Sequence, residues 1–228
     1  FQNETSEDSV LIDMPGITSS PGVIPTVVWF ESEEKIIMIG ASALKKKNLS
    51  NAEKFYHSNF KRLIGNPVES QKRKLLSPVE SGEKFFKILW ENIPKKLNIK
   101  RVVLTAPIDT YNGYRKWLIN LCKDLPIDEF ALVDEPTAAG IGINVPLGSK
   151  IMIIDIGGST IDMCVIQTQG GEGKAAPIAE LLKFQGKNLS AISKQKIRCA
   201  EIISKSGSKI GGKDIDQWIV NYFLSSNQ

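Results

Sequence analysis

The order of hydrophobic patterns in the middle of this 228-residue chain constrains its fold more than any other sequence feature. Apolar residues there alternate, recur at helical spacing or run together in a regular succession. In chain order they predict a strand at 101–105, a helix at 114–122, a strand at 130–133, a helix at 136–143 and a strand at 151–155. Strands that alternate with helices indicate an α/β fold with a largely parallel sheet. The unbroken apolar run of the last strand predicts burial on both of its faces.

The polar segment D-I-G-G-S-T-I-D at positions 155–162 carries the strongest functional signal. A strand pattern at 161–168 follows it with no helix between, so the segment predicts the turn of a hairpin. Small residues let backbone N–H groups approach an anion closely, and the threonine adds a hydroxyl donor. The residues of this turn are Gly157, Gly158, Ser159 and Thr160.

Two carboxylates flank the turn. Asp155 ends the buried strand and Asp162 lies at the start of the next one, where a hydrated cation could be held between them and a phosphate. The alternative is a plain glycine-rich hairpin with polar ends. Because an acidic residue at the end of a buried strand is costly without a ligand, the functional interpretation is favoured.

Weaker signals lie elsewhere in the chain. Asp134 and Glu135 end a strand pattern just before Pro136 opens a helix. Glu135 could orient a metal-bound water or a nucleophile, and helix capping is the alternative for both carboxylates. Gly211 and Gly212 precede a helix pattern, where an anion or a simple helix cap would fit equally well.

Several functional classes are excluded. The G-x-x-x-x-G-K-[ST] and G-x-G-x-x-G motifs are absent, which excludes a P-loop protein and argues against a Rossmann site. The net charge of +4 is weak and its lysine clusters are not interleaved with aromatic residues, so no nucleic-acid partner is expected. No apolar run approaches the ~20 residues of a membrane span. Cys122, Cys164 and Cys199 form no C-x-x-C pair and predict a reduced, cytoplasmic compartment.

Flanking patterns predict further elements. Strands at 26–30 and 35–39 form a hairpin with the charged turn 31–34, and Ser77 and Glu80 form a capping-box pattern that begins a helix. Toward the end of the chain we expect a glycine-rich loop at 169–177, a basic helix at 190–205 and a last helix capped by Asp214. The predicted inner face of that last helix carries Ile215, Trp218, Ile219 and Tyr222.

These segments stand in the order typical of one chaperone family. They are Lys-Arg-Leu-Ile-Gly at 61–65, Thr-Ala-Pro at 105–107, Asp-Glu-Pro-Thr-Ala-Ala-Gly at 134–140, the hairpin at 155–162 and Gly-Gly-Lys-Asp-Ile-Asp at 211–216. The chain resembles the seventy-kilodalton heat-shock chaperones of the DnaK type. That resemblance implies the actin-like ATPase fold, with ribonuclease H-like βαβ sheets and two lobes that close on Mg-ATP.

The resemblance also assigns roles. Lys61, which alone would be interpreted as a solvated surface lysine, matches the residue that contacts the γ-phosphate and the attacking water. Glu135 matches the acidic residue near the metal and that water, and Asp155 matches the carboxylate of the metal shell. These three and Thr160 are the catalytic candidates. Three carboxylates, those of Glu135, Asp155 and Asp162, would hold Mg²⁺ largely through water. K⁺ is a further candidate cation. The other matches are Gly157, Gly158, Ser159 and Thr160 in the second phosphate loop, Gly211 and Gly212 in the nucleotide cleft, and Pro107 and Arg115 in a relay between domains.

For the chain as a whole, we expect residues 1–147 to form most of a first lobe and 148–228 the inner part of a second. The first phosphate loop is expected before residue 1 and the outer part of the second lobe after residue 224. The implied function is that of an ATPase-domain piece, which binds ATP or ADP and hydrolyses Mg-ATP within a longer chaperone. Unfolded polypeptides and cochaperones would be the partners, with no membrane or nucleic acid, and the piece alone would be nearly inactive.

Two other functions in the same fold superfamily stay open. One is an actin-like filament protein, and the other is a sugar or acetate kinase. Three departures from the family pattern stand out. Ser159 replaces a glycine, Lys213 stands where an acidic residue is usual, and the connection at 171–209 is longer than usual.

Overall fold

The structure is a computed structural model with two compact units, Phe1–Asn98 and Ile99–Gln228. The boundary between the two predicted lobes, at residue 147, stays a prediction. Among the described residues, no helix is both long and apolar enough to cross a membrane. The structure describes residues 10–32, 35–49, 53–65, 75–108, 111–143, 146, 148–168, 180–184, 187–188 and 200–226.

The first unit has an antiparallel sheet in the order β2-β1-β3. Its strands are β1 (Val27–Glu31), β2 (Ile36–Ile39) and β3 (Tyr56–Ser58), and its helices are α1 (Gly40–Leu49), α2 (Phe60–Leu63) and α3 (Pro78–Asn92). Trp29 and Ala43 are buried between β1 and α1. The predicted β1–β2 hairpin is confirmed, while residues 33 and 34 of its turn lie outside the described residues.

The predicted capping box at the start of α3 is also confirmed. The backbone N–H of Glu80 donates to the Ser77 hydroxyl over 3.2 Å, and the backbone N–H of Ser77 donates to the Glu80 carboxylate over 2.8 Å. Hydrogen bonds from the backbone and the side chain of Ser77 favour the charged carboxylate and lower the pKa of Glu80. Local sequence therefore determines where this helix begins.

The second unit contains two sheets, in the orders β4-β5-β8-β9 and β10-β7-β6. The first comprises β4 (Arg101–Ala106), β5 (Glu129–Asp134), β8 (Glu180–Phe184) and β9 (Lys187–Asn188), and the second comprises β6 (Lys150–Ile156), β7 (Ile161–Thr168) and β10 (Ala200–Ser208). The helices are α4 (Tyr111–Cys122), α5 (Glu135–Gly142) and α6 (Gly212–Ser226).

The prediction of a largely parallel sheet is wrong. Only β4 and β5 are parallel among the described strands, and β6 pairs antiparallel with β7 in the other sheet. The turn at 157–160 is too short for a parallel crossover, so the chain returns beside β6. Helix α5 covers one face of this pair closely, since a Cβ on Gly140 would lie 2.7 Å from Ile153 Cδ1 and 2.8 Å from Ile166 Cδ1.

The prediction that strand 151–155 is buried on both faces is also wrong. Ile153 is buried against Cys164 and Ile166, whereas Met152 is 61% exposed and Ile154 is 53% exposed. Successive side chains of a strand point to opposite faces, and α5 covers only one face of this strand. The apolar run therefore predicts the strand correctly, but it predicts the burial of the second face incorrectly.

Two expectations near the end of the chain need correction. Residues 200–205 of the predicted basic helix belong to strand β10, which pairs antiparallel with β7 along its length; 190–199 and the loop at 169–177 lie outside the described residues. Helix α6 is confirmed, but its predicted inner face is exposed, with Trp218 at 56% and Tyr222 at 68%. Helical spacing identified the apolar face but not whether other residues cover it.

Candidate functional site

The predicted turn at 157–160 joins two antiparallel strands, which confirms the hairpin. Ile156 at the end of β6 pairs with Ile161 at the start of β7, and the backbone N–H of Gly157 donates to the carbonyl of Thr160 over 2.9 Å. This hydrogen bond closes the turn without the help of any side chain. The turn is therefore a compact backbone loop at the end of the β6–β7 strand pair, which is buried on one face.

The glycines of this turn are not required by the fold. Gly157 and Gly158 are not among the residues with positive φ. A Cβ on Gly157 would have Thr160 O as its nearest neighbour at 3.5 Å, and one on Gly158 would meet only Lys213 Cε at 4.0 Å. Alanine would fit at both positions, so packing does not explain the two glycines. Their lack of side chains leaves open space above the turn, and we attribute the glycines to this space.

Gly211, in contrast, is required by packing. A Cβ there would lie 2.4 Å from the backbone N of Ser159 and 2.6 Å from the carbonyl carbon of Gly158. The backbone N–H groups of Gly212 and Lys213 donate to the carbonyls of Gly157 and Gly158 over 3.0 Å and 3.1 Å. The start of α6 is therefore held directly against the hairpin turn.

The helix start uses its amides within the protein. The N–H of Gly211 donates to Asp214 Oδ2 over 2.9 Å. Because α6 begins at Gly212, Asp214 lies inside its first turn and is not the residue before the helix that we predicted as its cap. The next two N–H groups bond the turn. Gly211 and Gly212 thus support the turn, and their place in a nucleotide cleft stays a prediction.

Asp155 and Asp162 face each other across the strand pair. They are direct partners in the β6–β7 register, so their side chains lie on the same face of the sheet. Asp155 is partly exposed, whereas Asp162 is buried and its Oδ1 accepts the backbone N–H of Ile108 over 3.0 Å. Like charges at directly opposed positions destabilise a sheet, and a cation beside them would remove this cost.

Asp134 and Glu135 stand where β5 passes into α5. Asp134 caps the helix, because its Oδ1 accepts the backbone N–H of Thr137 over 3.0 Å, which confirms the capping alternative for this residue. The other carboxylate oxygen lies 3.2 Å from Lys205 Nζ, although Asp134 is only 3% exposed. A buried carboxylate with an ion pair thus anchors the segment that carries Glu135.

Sequence reasoning missed Lys205, and a β-bulge explains why. The β7–β10 register shifts between Ile202 and Ser204, so Lys205 lies on the same face as Ile202 instead of the opposite one. Simple alternation along the strand would have placed this lysine away from Asp134.

Replacing Lys205 with methionine is expected to destabilise the protein by about 1–2 kcal/mol, because it leaves the Asp134 carboxylate buried without its cation. The estimate stays below the cost of breaking a fully buried pair because the lysine side chain is 39% exposed. Urea unfolding of Lys205→Met and of the exposed-site control Lys150→Met measures the effect. Equal stability of the two variants would show that the ion pair contributes nothing.

Helix α4 confirms the helix predicted at 114–122 and begins at Tyr111. Tyr114 on α4 is buried against Trp117, with ring centroids 5.1 Å apart; burial raises its pKa, and the charge of Glu135 raises it further. Pro107 follows β4, Arg115 lies in α4, and Lys61 lies in α2 of the first unit.

Within the part of the chain that the structure describes, no group of three His, Cys, Asp or Glu residues is arranged to hold a metal ion. The water-mediated metal contacts therefore stay a prediction.

Comparison with known proteins gives two kinds of sequence relative. The MreB/Mbl protein family matches residues 71–175. The chaperone protein DnaK of Ureaplasma parvum is 26% identical over 210 residues, which cover 89% of this chain and 30% of the relative. DnaK of Metamycoplasma hominis is 29% identical over 167 residues, which cover 69% of this chain and 27% of the relative. The chain thus spans about 30% of the length of the first DnaK relative.

A solved structure supports the fold independently. MreB5 of Spiroplasma citri bound to ADP superposes with a TM-score of 0.54 at 18% identity, covering 88% of this chain and 49% of MreB5. Together with the DnaK relatives, this match confirms the fold predicted from the sequence. The chain is a sequence relative of the DnaK-type chaperones and has the actin-like ATPase fold.

Proposed function

We propose that this chain binds the phosphates of ADP or ATP, together with Mg²⁺, at the β6–β7 turn. The observation that carries the proposal is the space above Gly157 and Gly158, which the fold does not need, next to the facing carboxylates of Asp155 and Asp162. The ADP bound to the MreB5 structure supports the same ligand class.

The residues of the turn fit such a ligand. Backbone N–H groups and the Thr160 hydroxyl would contact phosphate oxygens, and small residues allow a close approach. Mg²⁺ prefers oxygen ligands and keeps several waters, so Asp155 and Asp162 would hold it through that water shell. When bound, the ion would neutralise charge on the phosphates. K⁺ is a second candidate for the same acidic surroundings.

We further propose that the chain is part of a chaperone ATPase domain. In a longer protein, Glu135 would orient the attacking water and Lys61 would contact the γ-phosphate, as the family resemblance implies. Hydrolysis would depend mostly on positioning and charge neutralisation, because phosphoryl transfer leaves little covalent chemistry to the protein. Cycles of hydrolysis would drive the folding of unfolded polypeptides with cochaperones in the cytoplasm. The DnaK relatives support this proposal, since those of Ureaplasma align with 89% of the chain.

Calorimetric titration of the full chain with MgADP tests the binding proposal, with Gly158→Val as the variant. We expect the unmodified chain to bind and Gly158→Val to bind at least about tenfold more weakly, because the branched side chain fills the space above the turn. Its melting temperature should change little. Equal affinities, or no binding by the unmodified chain, would contradict the proposal.

A second candidate function is that of an actin-like structural protein, which the MreB/Mbl family match favours. Nucleotide-dependent light scattering that rises with protein concentration would support it. Nucleotide-dependent capture of an unfolded peptide by the longer protein would support the chaperone function instead. The two measurements separate the candidates because each one detects a different macromolecular partner.

A further inference from the structure

Helix α6 has an exposed apolar face. Every residue from Ile215 to Ser226 is exposed, although the helix is 15 residues long. Large apolar side chains recur on it at helical spacing and form one face, with a further aromatic ring beside them. They are between 43% and 68% exposed, and they are Ile215, Trp218, Ile219, Tyr222 and Phe223. A contiguous exposed apolar patch of this kind marks an interaction surface.

The sheet formed by β6, β7 and β10 also has an exposed apolar surface, on the face opposite α5. Side chains alternate along a strand, so Met152, Ile154 and Ile156 lie on the other face from the buried Ile153. These three are between 53% and 66% exposed. Across the register they are joined on β7 by three further apolar residues, Val165, Met163 and Ile161. We call these six side chains the open sheet face.

A single copy of the chain does not bring the two surfaces together. The start of α6 is fixed against the hairpin turn by the close packing of Gly211 and by the backbone hydrogen bonds from Gly212 and Lys213. From this anchored start, the helix leaves both its own apolar face and the open sheet face exposed. A second copy of the chain carries the same two surfaces and can therefore cover both at once.

The dimensions of the two surfaces match. A helix of 15 residues is about 22 Å long. A strand of seven residues such as β6 is about 23 Å long. The open sheet face also has a polar border, because the β10 residues paired with its β7 residues are Ser204, Ser206 and Ser208. An apolar centre with a polar rim is typical of protein interfaces.

The exposed apolar area is large enough for a stable dimer. The three aromatic side chains of α6 are 56–68% exposed, and covering them would remove roughly 300–450 Å² from water, since a fully buried aromatic residue contributes about 150–250 Å². The exposed aliphatic side chains of α6 and of the open sheet face bring each copy to about the 800 Å² per partner that a standard interface buries.

We propose that this chain forms a two-fold dimer in which α6 of each copy packs on the open sheet face of the other. A two-fold axis makes the same contact twice, so both apolar surfaces of both copies are covered and the assembly closes. The inference goes beyond the proposed function, because Asp155 and Asp162 lie on the other face of the sheet, the one that α5 covers. Dimerisation is therefore expected with or without nucleotide.

Sedimentation equilibrium of the full chain over a range of concentrations measures the association. We expect a monomer–dimer equilibrium without larger species. Trp218→Lys and Ile154→Glu should each weaken dimerisation at least about thirtyfold, because each places a charge in both contacts of the dimer. The matched control is Gln217→Lys, which introduces the same side chain on the polar face of α6, where Gln217 donates to Asn221. This control should dimerise like the unmodified chain.

Folding of the variants is checked separately. The side chains of Trp218 and Ile154 are more than half exposed in a single copy. Thermal unfolding of protein dilute enough to be monomeric should therefore give variants that differ little from the unmodified chain, within about 0.5 kcal/mol. Under those conditions a loss of dimer reports on the interface and not on the fold.

A mixture of the two charged variants identifies which surfaces meet. In a mixed dimer, one contact has both surfaces unmodified, and the other brings the introduced lysine against the introduced glutamate. We therefore expect the mixture to form a dimer that neither variant forms alone. A normal dimer of Ile154→Glu would overturn the proposal, because it would mean that α6 pairs with another α6.

Three further outcomes would also overturn the proposal. A monomeric unmodified chain would mean that α6 folds onto its own sheet or that a different partner covers it. Species that grow with concentration beyond the dimer would indicate an open assembly. An equal loss of dimer in Gln217→Lys would show that the added charge, and not the apolar face, controls the association.

Discussion

Replacing Gly211 with alanine is expected to destabilise the protein by about 3 kcal/mol, because the new methyl group has no space beside the hairpin turn. Its carbon would lie 2.4 Å from the backbone N of Ser159 and 2.7 Å from the Cα of the same residue. These are backbone atoms, so a side-chain rotation cannot relieve the overlap. The helix start would move away and weaken the hydrogen bonds from Gly212 and Lys213 to the turn.

Thermal unfolding measures this effect, with Gly158→Ala as the matched control. For a domain of this size, a loss of ~3 kcal/mol corresponds to a fall of roughly 6–12 °C in melting temperature. Gly158→Ala makes the same chemical change in the same turn, but the nearest atom to its new carbon is 4.0 Å away. Its stability should stay within about 0.5 kcal/mol of the unmodified protein. Similar melting temperatures for the two variants would show that α6 is not held tightly against the turn.

Local signals allowed the most reliable predictions. The start of α3 followed from Ser77 and Glu80, whose side chains and amides bond each other with no help from distant residues. The hairpin at 157–160 followed from small residues between two strand patterns, because so short a connection permits only an antiparallel return. Both features depend on interactions between residues that are close in sequence.

Features that depend on distant parts of the chain were not predictable in the same way. The run at 151–155 is apolar throughout, yet Met152 and Ile154 are exposed while Ile153 is buried under α5. The apolar face of α6 was recognised from its spacing, but its side chains beyond the first turn are exposed. Hydrophobic patterns state which side chains could be buried, whereas the elements packed nearby decide which ones are.

The candidate site shows the same division. Asp155 and Asp162 were predicted to lie near each other because they flank a hairpin turn, and the register makes them direct partners. The Lys205–Asp134 ion pair joins residues far apart in sequence and depends on a bulge, which alternation of side chains does not reveal. From the sequence, Lys213 is only a departure from the family pattern. Its position over Gly158 comes from the docking of α6 on the turn.

Replacing Asp155 with asparagine is expected to separate ligand binding from stability. In the absence of ligand, the variant should be as stable as the unmodified protein or more stable by up to ~1 kcal/mol, because it removes one of two directly opposed carboxylates. The side chain keeps its size, so the packing beside Asp162 is preserved. A residue kept for function at a cost in stability is expected to behave in this way.

The same variant should lose Mg²⁺-dependent nucleotide affinity. A carboxylate that holds the ion through water acts in its outer shell, and loss of such a partner costs about 10–100-fold in affinity. We expect the ADP affinity of the unmodified chain to rise on replacing EDTA by Mg²⁺, and the affinity of Asp155→Asn to rise far less. In EDTA, Asp155→Asn should bind ADP at least as tightly as the unmodified chain, because the backbone donors of the turn are unchanged and one carboxylate that repels the phosphates is removed. An equal response to Mg²⁺ in both proteins would mean that Asp155 only ends a strand and takes no part in binding the ion.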